Sequence, residues 1–278
     1  MKKAIKKFIR KNPLAYIGIL IWVLFIVCAL FAPAVAPYNP YLQDLTQRFA
    51  APGAAHLFGT DSYGRDILSR VIYGARISIP CGLLVVLLSC TFGTLYGAIA
   101  GYFGKVVDEV LMRFADMVMS FPAILLAMAL AAAMGTGVVN AVIAIAVVSW
   151  PKYARLMRGM VLSIREAEYV TSERAIGQKR FPILLSTIIP NSISSQLVLA
   201  STDVGTAILT FAGLSFLGLG VSPPVAEWGY MVSDGVAILK YWWISFFPGL
   251  AIFLVSIGAN FIGDAVRDIM DPRMKYEL

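Results

Sequence analysis

Few residues in this 278-residue chain have types and spacings that could do chemistry, and several lie where chemistry is difficult. Asp203 falls inside an apolar run and Asp116 near the start of another. A carboxylate in hydrocarbon is costly, so each must face protein or a water-filled path. Asp203 either lines a transport route or is a hydrogen-bonded packing site beside Ser201, Thr202 or Thr206, the packing reading being preferred. Asp116 either faces the bundle interior or reaches water at the boundary, and Asn140 and Asn260 are weaker polar candidates. His56 is the only histidine, has no cysteine or histidine neighbour suited to a metal, and is expected to be solvated in a loop. Cys28, Cys81 and Cys90 all lie in apolar runs and form no disulfide framework. The nearest imitation of a phosphate loop is Gly104-Lys105, but Ile99 stands where the first glycine is needed and Val106 follows the lysine. No catalytic group, metal cluster or ATP site is expected in this chain.

The elements that hold these residues follow from composition. The chain is 59% hydrophobic and only 14% charged, against about half and about a quarter for soluble domains. Such a balance excludes disorder and a water-soluble core, and leaves an integral, all-α membrane protein. A bilayer needs roughly 20 apolar residues per helix. Six runs qualify: Leu14 to Ala36, Ser78 to Ala100, Leu111 to Met134, Val138 to Met157, Ser192 to Phe211 and Trp243 to Ile262. The first follows Lys2, Lys3, Lys6, Lys7, Arg10 and Lys11 and imitates a signal peptide, but its length favours an uncleaved helix. The third holds Pro122, and Gly135-Thr136-Gly137 makes a hairpin turn to the fourth.

Charge sets the direction. With the N-terminus inside, segments 1–13, 101–113, 152–180 and the tail after 264 carry eighteen of the 23 Lys and Arg residues. The outer segments carry five: Arg48, Arg65, Arg70, Arg76 and Lys240. This agrees with the positive-inside tendency and puts both termini in the cytoplasm. Asp61 and Asp66 partly compensate the outer arginines. Of the outer segments, 38–76 has one short helical stretch near Asp66–Tyr73, and 213–242 is glycine-rich with Pro223-Pro224 and packs at the membrane mouth.

Residues 158–190 are too long for a simple connector. Ser163-Ile164-Arg165-Glu166 fits a capping box that starts a short helix near Arg165. Charged Glu166, Glu168, Glu173 and Arg174 alternate with Val170, Ala175 and Ile176 until Gly177 interrupts. The pattern reads as short amphipathic helices under the membrane with a bend at Gly177, either docking a soluble partner or lying in lipid headgroups.

The stretch Glu168-Tyr169-Val170-Thr171-Ser172-Glu173-Arg174-Ala175-Ile176-Gly177, followed by Ile188-Ile189-Pro190-Asn191, resembles the coupling-loop signature of ABC importer permeases. That signature runs Glu-Ala-Ala, a three-residue gap, Gly, a nine-residue gap and Ile-x-Leu-Pro. Gly177 and Pro190 keep their places, whereas Thr171-Ser172-Glu173 replace the triplet, Thr187 the Ile and Ile189 the Leu. Phe58-Gly59-Thr60-Asp61-Ser62-Tyr63-Gly64-Arg65-Asp66, with Ser69-Arg70 and Gly74-Ala75-Arg76, resembles the outer loop of the second permease subunit of dipeptide, oligopeptide and nickel importers. Phe211 to Gly220, Pro223-Pro224 and Glu227-Trp228-Gly229 resemble the same subunit, so the likeness covers essentially the whole chain.

The resemblance implies a six-helix type I ABC importer permease fold, with residues 1–76 as an N-terminal helix plus outer loop and 77–278 as the permease domain. It implies a second homologous permease, two cytoplasmic ATPases carrying ATP and Mg2+, an extracytoplasmic binding protein and no nucleic acid. Glu168, Tyr169, Ser172, Glu173, Arg174, Ala175, Gly177 and Pro190 would couple to an ATPase. Asp203 and Asp116 are path candidates, and Gly59, Asp61, Gly64, Arg65, Asp66 and Arg76 form the outer motif. The expected location is the bacterial inner membrane. Dipeptides or short oligopeptides are the leading substrates, with nickel and glutathione-like solutes as alternatives. An ATP-independent channel or carrier is the more distant one, since neither requires a coupling loop.

Overall fold

A computed structural model of the chain describes residues 13–270, so the basic N-terminal segment, the tail and both termini lie outside the described residues. Helix α1 spans Pro13–Leu30 and ends in a one-turn helix at Ala32–Val35, where Pro33 occupies the first turn. Helix α2, Ile67–Phe103, is 37 residues long. At 1.5 Å per residue it reaches about 55 Å, well beyond a hydrocarbon core of about 30 Å. The expected short helix near Asp66–Tyr73 is the outer end of this same helix, so the division drawn after residue 76 falls inside one continuous element. Asp66 caps it by accepting from the Ser69 N–H.

Helix α3, Lys105–Met119, and helix α4, Ala123–Met134, replace the third expected span and meet at 87°. Pro122 is the residue before α4 and disfavours helical geometry at Phe121, which breaks the run there. Helix α5 covers Val138–Ile164 and begins directly after the expected Gly135–Gly137 turn. It extends past Met157, so Ser163 lies in its last turn and bonds back to the Met160 carbonyl. The capping box read there is therefore incorrect: the chain is already helical and has no start to cap. Helix α6, Glu168–Ala175, follows, then a turn at Arg180–Ile183 and a π-helical segment at Leu184–Ile188. That lead-in runs into helix α7, Ile189–Phe216. Helix α8, Trp228–Val236, and helix α9, Trp243–Met270, complete the order. Among the described residues there is no strand, only an isolated bridge between Thr60 and Asp66.

Four helical runs are long and apolar enough to cross a membrane: α1, α2, Arg180–Phe216 and α9. The bent α3–α4 pair makes a fifth if it counts as one span. Helix α5 is 27 residues long but carries Lys152, Arg155 and Arg158 in its second half. Many large apolar side chains on α1, α2 and α9 face outward, including Leu20, Leu24, Leu87 and Phe253. That surface suits lipid and not water.

Helix α2 packs most extensively on α5, and α7 on α9. The α2–α5 seam closes because Gly97 lacks a side chain, and a Cβ there would collide with the Ala154 carbonyl. At one end, Ala98, Tyr102, Met157, Val161, Val170, Ile183, Leu184 and Ile188 form a single buried cluster. The 158–190 segment is thereby packed onto the bundle.

Candidate functional site

Helix α6 is held from beneath by one residue. Val170 is fully buried against the Tyr102 and Met157 cluster, while Glu168, Tyr169, Ser172, Arg174 and Ala175 are exposed. The helix stops at Gly177, which has φ +87°. The Gly177 N–H donates to the Arg174 carbonyl and the Gln178 N–H to the Glu173 carbonyl, both at 3.1 Å. This double closure is a Schellman motif, whose left-handed residue is glycine because a Cβ is unfavourable there. Beyond it, Ile176, Phe181 and Leu185 present exposed apolar surface. Pro190 is the second residue of α7, directly after the π-helical segment Leu184–Ile188.

Two of the departures from the family signature, Glu173 and Thr187, are partners of each other. Thr187 donates its hydroxyl to the Glu173 carboxylate, 2.9 Å from both oxygens. An acidic residue in place of Ala and a hydroxyl in place of Ile thus make one hydrogen bond tying α6 to the π segment. Partial exposure discounts a charge-assisted bond to about 1 kcal/mol. Glu173→Ala and Thr187→Ile are each expected to lower thermal stability of the purified chain by about that much. The double variant should lose clearly less than the sum, and strictly additive losses would show that the pair is not coupled.

Asp203 is largely buried but does not use the neighbours expected of it. Its carboxylate accepts from Lys152 Nζ at 2.6 Å and from the Tyr153 hydroxyl at 2.7 Å. Ser201 and Thr202 instead bond to carbonyls one turn back in their own helix. Lys152, counted above with the inner-loop charges, is thus part of an ion pair between α5 and α7. Sequence reasoning missed it and Tyr153; the available signal was one opposite charge in each of two apolar helices. Asp116 pairs with Arg155 at 2.5 Å, with both side chains about half exposed. Nearer the α6 end, Arg158 clasps Asp108 with two bonds of 2.8 and 2.7 Å.

The outer motif is a buried polar network. Asp61 accepts from Arg65 Nε at 2.6 Å and lies 3.6 Å from Arg70 Nε. Arg76 is exposed and lies over the Tyr73 ring, and Gly59 and Gly64 occupy positive-φ turns. Asp66 does not compensate the arginines. It caps α2 and meets His56 Nδ1 at 2.9 Å, while His56 Nε2 meets Gln47 Oε1 at 2.9 Å. His56 is therefore buried and not solvated, because residues 47 and 66 enclose it across the loop.

Glu227 is fully buried, caps α8 through the Gly229 and Tyr230 N–H groups, and accepts from the Ser78 hydroxyl at 2.9 Å. Burial pushes its carboxyl above the ordinary 4.5, and those three donors pull it back only in part. A raised folded-state value means the folded form holds the proton more tightly than the unfolded chain. Stability is therefore expected to fall as pH rises from 4.5 through the raised value. Glu227→Gln should flatten that limb in thermal melts, and an unchanged slope would remove Glu227 as its source.

Comparison with known proteins bears on what this bundle is. Residues 93–276 match the family model of the binding-protein-dependent transport system inner membrane component. Residues 1–52 match that of the N-terminal TM domain of oligopeptide transport permease C. The chain is 43% identical over 270 residues to a dipeptide transport system permease protein of Alkalihalophilus pseudofirmus, covering 97% of this chain and 89% of that one. It is 42% identical to a probable D,D-dipeptide transport system permease protein of Escherichia coli, over 95% of this chain and 89% of the relative. A glutathione transport system permease protein of Pectobacterium atrosepticum is 40% identical, over 97% and 90%. A helical bundle with several membrane-crossing helices, these motifs and these matches agree on one conclusion: the chain belongs to the family of inner-membrane permease components of binding-protein-dependent ABC importers and is a multi-pass transport subunit rather than an enzyme.

Proposed function

We propose that this chain pairs with a second, related permease to form the path by which dipeptides or short oligopeptides, delivered by an extracytoplasmic binding protein, enter the cell. Two ATPase subunits, which carry ATP and Mg2+, dock on α6 and drive the cycle. The observation that carries the reading is the attachment of α6. Tyr169 on its exposed face and Ile176 and Phe181 just after it offer apolar surface, while Val170 and the Glu173–Thr187 bond fix it to the bundle. A force applied to α6 is transmitted to α2, α5 and α7 through packed side chains, as a two-state transporter requires.

The membrane crossings in this reading are α1, α2, the α3–α4 pair, α5, the Arg180–Phe216 run and α9, with both termini in the cytoplasm. Residues 1–76 add the first helix and outer loop to a permease domain over 77–278, and the outer motif braces the face that receives the binding protein. The Asp203–Lys152 pair braces α5 against α7 beside the path, and Asp116 with Arg155 lies nearer its inner end. The peptide assignment draws on the names of the two dipeptide-permease relatives, and the glutathione relative supports a second reading in which a glutathione-like solute uses the same machinery. Purification of the assembled complex, with mass spectrometry of what its binding protein retains, tests the substrate. Bound dipeptide or oligopeptide is expected. Stoichiometric nickel or glutathione without peptide would overturn that assignment.

A further inference from the structure

A pocket of about 340 Å³ lies at the elbow between α2 and α3, beside the start and end of α6. Four basic residues line it, Lys105, Arg165, Arg174 and Arg180, against one acidic residue, Glu166. Glu166 pairs with Arg165. Among the described residues no carboxylate pairs with Lys105, Arg174 or Arg180. Arg174 lies over the ring of Tyr102, 5.3 Å from its centroid, which directs it towards the pocket wall.

Two further observations favour negative charge in this pocket. The Tyr102 hydroxyl is buried and has no hydrogen-bond partner among the described residues, and Tyr102 as a whole is 7% exposed. An orphaned buried donor costs free energy unless something accepts from it. The pocket also contains the N-terminus of α3, a 15-residue helix whose preceding residue, Gly104, has no side chain to cap it. The free N–H groups of its first turn favour negative charge. Asp108, the acidic residue of that turn, is occupied by Arg158 and does not neutralise it.

We propose that this pocket binds a phosphate-bearing anion, held by Lys105, Arg180, Arg165 and the Tyr102 hydroxyl against the N-terminus of α3. The same chemistry is offered by a phospholipid headgroup and by free phosphate. In the proposed topology the pocket lies at the cytoplasmic leaflet, within reach of both. An anion there would bridge the α2–α3 elbow to the ends of α6, so its occupancy would bear on how firmly α6 is held.

The test uses the assembled transporter in phosphatidylcholine nanodiscs, titrated separately with phosphatidylglycerol and with inorganic phosphate. Binding is read directly by native mass spectrometry for lipid and by equilibrium dialysis for phosphate, so the result does not depend on uptake. One probe is expected to bind saturably. The Lys105→Gln/Arg180→Gln double variant should bind it about tenfold more weakly or worse, and Tyr102→Phe, which keeps the ring, about three- to tenfold more weakly. Saturation by phosphatidylglycerol alone assigns a lipid headgroup, and saturation by phosphate assigns a free anion. Binding of neither probe, or equal binding by wild type and both variants, would overturn the proposal.

Discussion

Gly177→Val is expected to reduce ATP-driven uptake at least tenfold while the membrane bundle still assembles. Gly177 ends α6 at φ +87°, and nothing lies within 4 Å of where a Cβ would project. Packing within the chain therefore cannot produce the effect, whereas backbone conformation can. A left-handed residue with a side chain costs about 1–2 kcal/mol, and a β-branched one is a genuine outlier. An eight-residue helix with a single buried anchor has little to set against that, so its last turn unwinds and the exit towards Arg180 is redirected. Asparagine visits this conformation readily, so Gly177→Asn should retain most of the uptake. Paired measurements of ATP hydrolysis and peptide uptake in proteoliposomes check this. Full uptake by the valine variant, or equal failure by asparagine, would show that the left-handed stop is not what matters.

Asp203→Ala should have the largest effect on stability, about 2–3 kcal/mol. It leaves the Lys152 ammonium without its partner in an apolar helix, and removes the acceptor of the buried Tyr153 hydroxyl. The figure lies below that for a fully buried pair because the Lys152 side chain keeps 36% of its exposure. The double variant Lys152→Met/Asp203→Leu removes both charges and should recover at least about half of the loss. Thermal melts in detergent read both. If the double variant falls by the sum of the singles, the charges are not acting as a pair.

Much of this was legible in the sequence because it depended on local chemistry. Gly135 and Gly137 marked a hairpin, and Gly177 marked the end of α6, whereas Pro122 reads as lying inside one continuous run that in fact breaks by 87° there. Each of these acts on the backbone within a turn of itself. What escaped depended on residues brought together from far apart. Lys152 reads as an inner-loop charge until α7 places Asp203 against it, 51 positions later. His56 reads as a solvated loop residue until Gln47 and Asp66 close around it. Glu173 and Thr187 each weaken the family signature alone, and only their contact shows that one departure accommodates the other. The capping box at Ser163 failed for a different reason. Its local pattern is sound, but packing of Met157 and Val161 under α2 carries α5 through it.

The central claim is that this chain transports only as part of an ATP-driven assembly, with α6 as the mechanical link. The most direct measurement is dipeptide uptake into proteoliposomes holding both permeases and binding protein, with and without the ATPase subunits and ATP. Uptake against a gradient is expected only when all components and ATP are present, and it should be lost on Gly177→Val. Accumulation without the ATPases would contradict it.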